Sequence, residues 1–376
     1  MNPTIDFLET EDDSHLRFCL SNANVSIANG LRRTILADIP IVVFRTAPHE
    51  KNNATIQINT GRMNNEILKQ RLSCIPIHIS DVNTPIENYQ LEIDKKNETD
   101  IIQYVTTQDF KIKDITTGNY LSELKTKEIF PPDFITGDYI EFARLRPHIS
   151  EEVQGEHLKL HCKFAIGTAA EDSAFNVTST CAYASTPDVE KQKQKWSEKE
   201  KELRNKTTGM PFTDEEIEFE KKNWFLLDAK RIVLPDSFDF ILKSVGQITN
   251  KSIIYRACDI IIQKLLKFQN KLKMEQETMI EPTSTTINNC FDIIIHNEGY
   301  TLGKILEYVL FSSYYEKTDV LTYCGFQKPH PHIDMCKLRI GFKEAIVDKG
   351  IVASYLTNAA EAAIKMYERI AMSFKD

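Results

Sequence analysis

Apolar residues recur at helical spacing in two places near opposite ends of the chain. Toward the N-terminus Ile27, Leu31 and Ile35 stand at i, i+4 and i+8 with Ala28 beside them, which gives one apolar helix face. Toward the C-terminus Leu302, Ile305, Leu306, Val309 and Leu310 follow i, i+3, i+4, i+7 and i+8, the strongest amphipathic pattern in the chain. Each helix follows a short alternating segment, Leu16, Phe18 and Leu20 before the first, Phe291, Ile293 and Ile295 before the second. A strand leading into a helix is therefore predicted twice. Ser21-Asn22-Ala23-Asn24 supplies capping groups for the first helix and Thr301 for the second, while Asp38-Ile39-Pro40 ends the first. Two such halves predict an internal pairing in which the helices bury their apolar faces together.

Between these units the texture changes. Residues 41–44 read as a strand, and from residue 46 to about 184 short strand patterns alternate with turn clusters such as Thr116-Thr117-Gly118-Asn119 and Thr136-Gly137-Asp138. One short helix is predicted there, capped by Asn64 or Asn65 and carrying Ile67, Leu68 and Leu72. Ile75, Ile77 and Ile79 alternate as a strand, with Pro76 marking a sheet edge. Leu158, Leu160, Cys162 and Phe164 form another period-2 run. Residues 191–204 and 214–222 are dense in charges of both signs, the composition of a solvated helix or insertion. A strand at 238–240 and a long helix over 248–272 follow, then a polar stretch with Pro282 that reads as a linker. Strands at 320–323 and 336–340 and a closing helix over 351–370 complete a β-α-β-β-α unit.

At 376 residues, 41% hydrophobic and 27% charged, the chain has the composition of a globular protein of two or three domains. Its longest apolar runs fall short of the roughly 20 residues that span a bilayer, and its acidic first residues lack a signal-peptide pattern, so a reducing compartment and no membrane are expected. The eight cysteines show no C-x-x-C pair and read as buried small apolar residues. A net charge of -8 argues against broad binding to phosphate backbones.

Candidate chemistry is sparse. His330-Pro331-His332 with Asp334 has metal-ligand residue types, but its prolines make a rigid turn and no regularly spaced Cys or His completes a tetrahedral set. His296 and Glu298 sit at a strand-to-helix junction, where they fix the junction more often than they transfer protons. Gly299-Tyr300-Thr301-Leu302-Gly303 matches neither phosphate-loop pattern, and Gly303 reads as a point of close backbone packing. Lys191, Lys193 and Lys195 offer a basic contact for nucleic acid. Arg32 and Arg33 are more informative: at 100° per residue their guanidiniums diverge beside an apolar stripe, so at least one faces solvent, as a solvated surface pair, or a carboxylate-bearing protein partner.

Several segments resemble the α family of multisubunit RNA polymerases. Asn29-Gly30-Leu31-Arg32-Arg33-Thr34-Ile35-Leu36, with Pro40 beyond it, is similar to that family's N-x-L-R-R-x-L motif. Asn65-Glu66-Ile67-Leu68-Lys69-Gln70-Arg71-Leu72-Ser73-Cys74-Ile75-Pro76-Ile77 is similar to its E-F-I-x-H-R-L-G-L-I-P-I segment. Residues 165–175 and 238–265 resemble later parts of the third-largest subunit of the eukaryotic enzyme and the archaeal D subunit. The last unit resembles the partner, the eleventh or L subunit: Glu298-Gly299-Tyr300-Thr301-Leu302-Gly303-Lys304-Ile305-Leu306 is similar to E-D-H-T-L-G-N-L-L, and Gly325-Phe326-Gln327-Lys328-Pro329-His330-Pro331 to G-Y-K-V-P-H-P. The chain departs at Gly30, where the family usually carries Ala at a helix cost of about 1 kcal/mol for Gly, at Cys74, and at Ser173.

The resemblance implies an α+β chain: an α-like dimerisation domain with a mainly β insert, fused to a small β-α-β-β-α partner. It divides into residues 1–45, the first part of the dimerisation domain; 46–184, the insert; 185–274, its second part with a charged insertion at 188–222; 275–287, the linker; and 288–376, the L-like domain. A linker of that length spans roughly 20 Å and gives an effective concentration on the order of millimolar, favouring pairing within the chain. The implied interface comprises Ile27, Leu31, Ile35, Leu302, Ile305, Leu306 and Val309. Arg32, Arg33, Glu66, Arg71 and Pro76 are the implied contacts with the second-largest and largest subunits. Such a subunit is non-catalytic, contacts small polymerase subunits, and meets template DNA only through the complex. No metal or cofactor is implied, because the four-Cys set of some relatives is missing from the insert. Two subunits on one chain implies a large nucleocytoplasmic DNA virus, with activity in the viral factory of the host cytoplasm and a place in the virion, or otherwise wherever the polymerase works inside the cell. The alternative from another class is a stand-alone nucleic-acid-binding transcription factor, and a further one is a hydrolase or metalloenzyme centred on the histidines.

Overall fold

The computed structural model describes residues 2–8, 15–150, 152, 154–205, 212–283, 286–345 and 348–375. In chain order its elements begin with β1 (Thr4–Phe7), β2 (His15–Ser21), α1 (Val25–Ala37), β3 (Ile41–Phe44), β4 (Ala54–Asn59) and α2 (Asn65–Ser73). Next come β5 (Tyr89–Lys96), β6 (Gln103–Thr106), β7 (Lys111–Asp114), α3 (Glu123–Ile129), β8 (Glu141–Leu145), β9 (His157–Gly167) and β10 (Thr178–Pro187). Then follow α4 (Val189–Arg204), α5 (Asp214–Leu226), β11 (Val233–Ser244), α6 (Asn250–Met274), α7 (Gln276–Met279) and β12 (Ile280–Pro282). The chain closes with β13 (Cys290–His296), α8 (Tyr300–Leu310), β14 (Leu321–Gln327), β15 (Met335–Phe342) and α9 (Lys349–Met372). Two compact units result, one of Met1–Arg32, Cys181–Leu242 and Ile261–Asp376, the other of Arg33–Thr180 and Lys243–Ile260.

The first unit holds two four-stranded sheets, ordered β1-β2-β11-β10 and β12-β13-β15-β14. The alternation in β2 turns Phe18 and Leu20 inward, and Phe18 stacks on Phe240 of β11 at 4.9 Å while meeting the edge of Phe374 at 5.0 Å. In the second sheet Asp292 of β13 faces Arg339 of β15 in register. Their two charge-assisted hydrogen bonds, 2.6 and 2.8 Å, satisfy a carboxylate that lies inside the sheet. The Arg339 guanidinium holds the Asp292 carboxyl below the usual carboxylate range.

Three expectations change in this unit. Helix α8 starts at Tyr300 from an extended Gly299 instead of a Thr301 cap, since glycine is a tolerated N-cap and frees Thr301 to enter the first turn. The polar stretch read as a linker contains α7 and β12, because Met279 and Ile280 are buried and Ile280 pairs with Ile293. Elements of three or four residues leave no periodicity to read. The charged insertion is a pair of helices with its own small core, Trp196, Leu203 and Ile217, against which Trp224 and Phe225 pack. Those apolar positions are two turns apart on α4 and disappear among the charges around them.

In the second unit β9 is the central strand. It pairs with β3, β4 and β5, and β7 extends the sheet beyond β5. Leu158, Leu160, Cys162 and Phe164 point into the core, as their alternation predicts. Asn64 caps α2, its side chain accepting from the Ile67 amide at 2.9 Å. Residues 75–79 differ from expectation: Ile75 and Ile77 are buried, but no ladder forms. Pro76 has no N–H to offer, and the His78 amide donates instead to Ile129 O at 3.0 Å.

Candidate protein-docking faces

The first face is internal. Asn24 starts α1, its side chain accepting from the Ser26 amide at 3.0 Å, and the apolar stripe of Ile27, Leu31 and Ile35 is buried. The Tyr367 hydroxyl of α9 donates to Ile27 O at 3.0 Å. Gly30, one turn along, has no side chain to block this approach; a Cβ there would stand 2.6 Å from Tyr367 Oη and 2.8 Å from Ile305 Cδ1. Helices α1, α8 and α9 thus meet at one point of close backbone approach. Leu302, Ile305, Leu306 and Val309 are buried along α8, and the Gln269 amide ties α6 to Thr357 O of α9 at 3.1 Å. On the other side of α8, any side chain at Gly303 would overlap the Phe326 ring, so this glycine does permit close packing.

The residues expected to meet other subunits are distributed differently. Arg32 is half-buried and donates through Nε and Nη2 to Asn29 Oδ1, at 3.1 and 3.0 Å, whereas Arg33 is exposed. Glu66 lies exposed in the first turn of α2 and pairs with Lys69 at 3.3 Å. Pro76 is partly exposed between two buried isoleucines. Arg71, exposed in the last turn of α2, donates from Nε to Phe142 O at 2.8 Å and from Nη2 to Glu141 O at 2.6 Å. Its fork satisfies carbonyls at the start of β8, which makes it a brace within the second unit. His78 and Tyr367 were not singled out from the sequence. Tyr367 had the weakest signal, being one aromatic in a long closing helix whose partner lies 340 residues away.

The His330 and His332 rings stand edge to face at 5.1 Å, and among the described residues no three His, Cys, Asp or Glu side chains are grouped to hold a metal ion. A cleft beside His296 and Glu298, lined also by Lys264, Lys267 and Lys271, holds about 70 Å³. That is far below the roughly 300–1,000 Å³ of small-molecule sites. Burial pushes the Cys162 and Cys181 thiols up to about 12, so they stay protonated as inert core groups. Among the described cysteines Cys74, after α2, is exposed and Cys324 is intermediate in burial. Lys195 of α4 pairs with Glu198 at 2.8 Å, which offsets its charge locally. No described helix is long and apolar enough to cross a membrane.

Residues 17–265 match the family model of the RNA polymerase Rpb3/Rpb11 dimerisation domain. Among similar proteins, subunit 3B of DNA-directed RNA polymerases IV and V from Arabidopsis thaliana is 23% identical over 304 residues, covering 70% of this chain and 89% of the relative. The RPB3 subunit of DNA-directed RNA polymerase II from Schizosaccharomyces pombe is 24% identical over 70% of this chain and 85% of its own length. Subunit Rpo3 of the DNA-directed RNA polymerase of Pyrococcus furiosus is 21% identical over 72% and 97% respectively.

Proposed function

Because the chain belongs to the family of the RNA polymerase Rpb3/Rpb11 dimerisation domain, we propose that it is a non-catalytic assembly subunit of a DNA-directed RNA polymerase that carries both members of the dimer in one polypeptide. Residues 1–274 take the part of the third-largest subunit and 288–376 that of the eleventh. The observation that carries this reading is the contact of Tyr367 and Ile305 with α1 at Ile27 and Gly30: a late helix pair covers the apolar stripe of an early helix. In a separate-subunit enzyme that stripe would need a second chain.

On this reading Arg32, Arg33, Glu66, Arg71 and Pro76 contact the second-largest and largest subunits, with Arg71 also bracing the start of β8. DNA is reached only through those subunits. The source is a large nucleocytoplasmic DNA virus, and the protein works in the viral factory and is packaged in the virion. Co-expression of the full chain with the second-largest subunit tests the proposal. A stable one-to-one complex that forms without any added eleventh subunit is expected. Failure of the pair to associate until a separate eleventh-type subunit is supplied would overturn it.

A further inference from the structure

The loop between α3 and β8 presents Phe134, 90% exposed, and Ile135, 78% exposed, side by side at its tip. Phe134 is the most exposed large apolar side chain among the described residues, and Ile135 extends the patch beside it. The tip is also held in place. The Asp133 carboxylate accepts from the amides of Ile135 and Thr136, both at 2.9 Å. The Asp133 amide donates to Asp138 O at 2.8 Å and the Gly137 amide to Asp133 O at 2.9 Å, with Gly137 at φ +76°, a left-handed position suited to glycine. These amides hold the Asp133 carboxyl below the usual carboxylate range, so the tip carries a full negative charge at neutral pH.

Both stems of the loop are clamped. On one side Phe130 is buried against Phe110 and Phe44, and His78 donates to Ile129 O from its amide at 3.0 Å and from Nδ1 at 3.2 Å. On the other, Phe142 is buried and Arg71 donates to the carbonyls of Glu141 and Phe142. A tip ordered in advance loses little conformational entropy on binding, and aromatic anchors dominate interface energetics.

We propose that Phe134 and Ile135 form an anchor that inserts into an apolar pocket, rimmed by Lys or Arg, on another subunit of the polymerase; this rests on the assembly-subunit reading above. Charge selects this occupant. Asp133 and Asp138 flank the tip, so an anionic lipid surface repels it, and a second copy of the chain docked tip to tip would set like carboxylates together.

The test places the photo-crosslinker p-benzoylphenylalanine at position 134 of the full chain within the assembled polymerase, beside the double variant Phe134→Asp, Ile135→Asp and the conservative Phe134→Trp. The expected result is a crosslink to a Lys- or Arg-bearing segment of another subunit. Also expected are retention of that subunit at least tenfold weaker in the double variant, unchanged melting of the isolated chain, and near-normal retention with Trp. A crosslink to a second copy, sedimentation with phosphatidylserine vesicles, or normal retention in the double variant would each overturn the anchor. If the unmodified chain recovers no polymerase subunit, the assembly-subunit reading fails first and the anchor with it.

Discussion

Replacing Gly30 by Ala sets two physical effects of opposite sign against each other. Helix propensity alone favours Ala inside α1 by about 1 kcal/mol. The packing opposes it, because the new methyl would lie 2.6 Å from Tyr367 Oη and 2.8 Å from Ile305 Cδ1. Ile305 can rotate, but the tyrosine must retreat and give up its 3.0 Å bond to Ile27 O. Overpacking a tight site costs about 1–3 kcal/mol, and a buried hydroxyl left without its acceptor costs about 1–3 kcal/mol more. The expected result is a net loss of about 1–5 kcal/mol, read as a lower urea midpoint. Combining Gly30→Ala with Tyr367→Phe removes the nearest obstructing atom, so the double variant should lose less than the sum of the singles, with a coupling of about 0.5–3 kcal/mol. A Gly30→Ala chain that is more stable by about 1 kcal/mol would refute the contact between α1 and α9.

Other perturbations probe the remaining links. Leu306→Asp puts a carboxylate at a fully buried position of α8 and should cost several kcal/mol, seen as aggregation or a large fall in melting temperature; intact, monodisperse protein would contradict the buried face. His78 gives a pH signature, since burial lowers its pKa from 6.5. As pH falls below 6.5 the unfolded chain takes up a proton that the folded chain resists, so His78 favours folding fully above that pH and progressively less below it. Melting curves between pH 7.5 and 5 should therefore fall more steeply for the unmodified chain than for His78→Asn, and parallel curves would remove His78 from the account. Charge reversal at Arg32 and Arg33 should leave the chain folded, at the cost of the Arg32 bonds to Asn29, but abolish recovery of the second-largest subunit. Undiminished recovery would move that contact elsewhere.

The long amphipathic elements could be read from sequence because their periodicity repeats over several turns. Five apolar positions of α8, and the alternation of β9, are each enough to define a buried face. What stayed hidden is either too short or too distant. Helix α7 and β12 offer no repeat, and Ile75 and Ile77 show a true alternation that Pro76 keeps out of a ladder. Gly30 looked like a weakness of α1 until Tyr367, far along the chain, gave the missing side chain a purpose. Arg71 shows the limit for candidate sites: a motif supplies the guanidinium but not the carbonyls that come to meet it. The turn at Thr136-Gly137-Asp138 was likewise evident, whereas the exposure of Phe134 beside it depends on packing that no local pattern encodes.

Whether one chain serves as both halves of a polymerase assembly dimer is decided by purifying the polymerase from its source through a tag on this chain and counting subunits by quantitative mass spectrometry. One copy of this chain per largest and second-largest subunit is expected, with no separate eleventh-type subunit present. A stoichiometric eleventh-type subunit in the purified enzyme, or a tagged chain that brings down neither large subunit, would contradict the one-chain dimer.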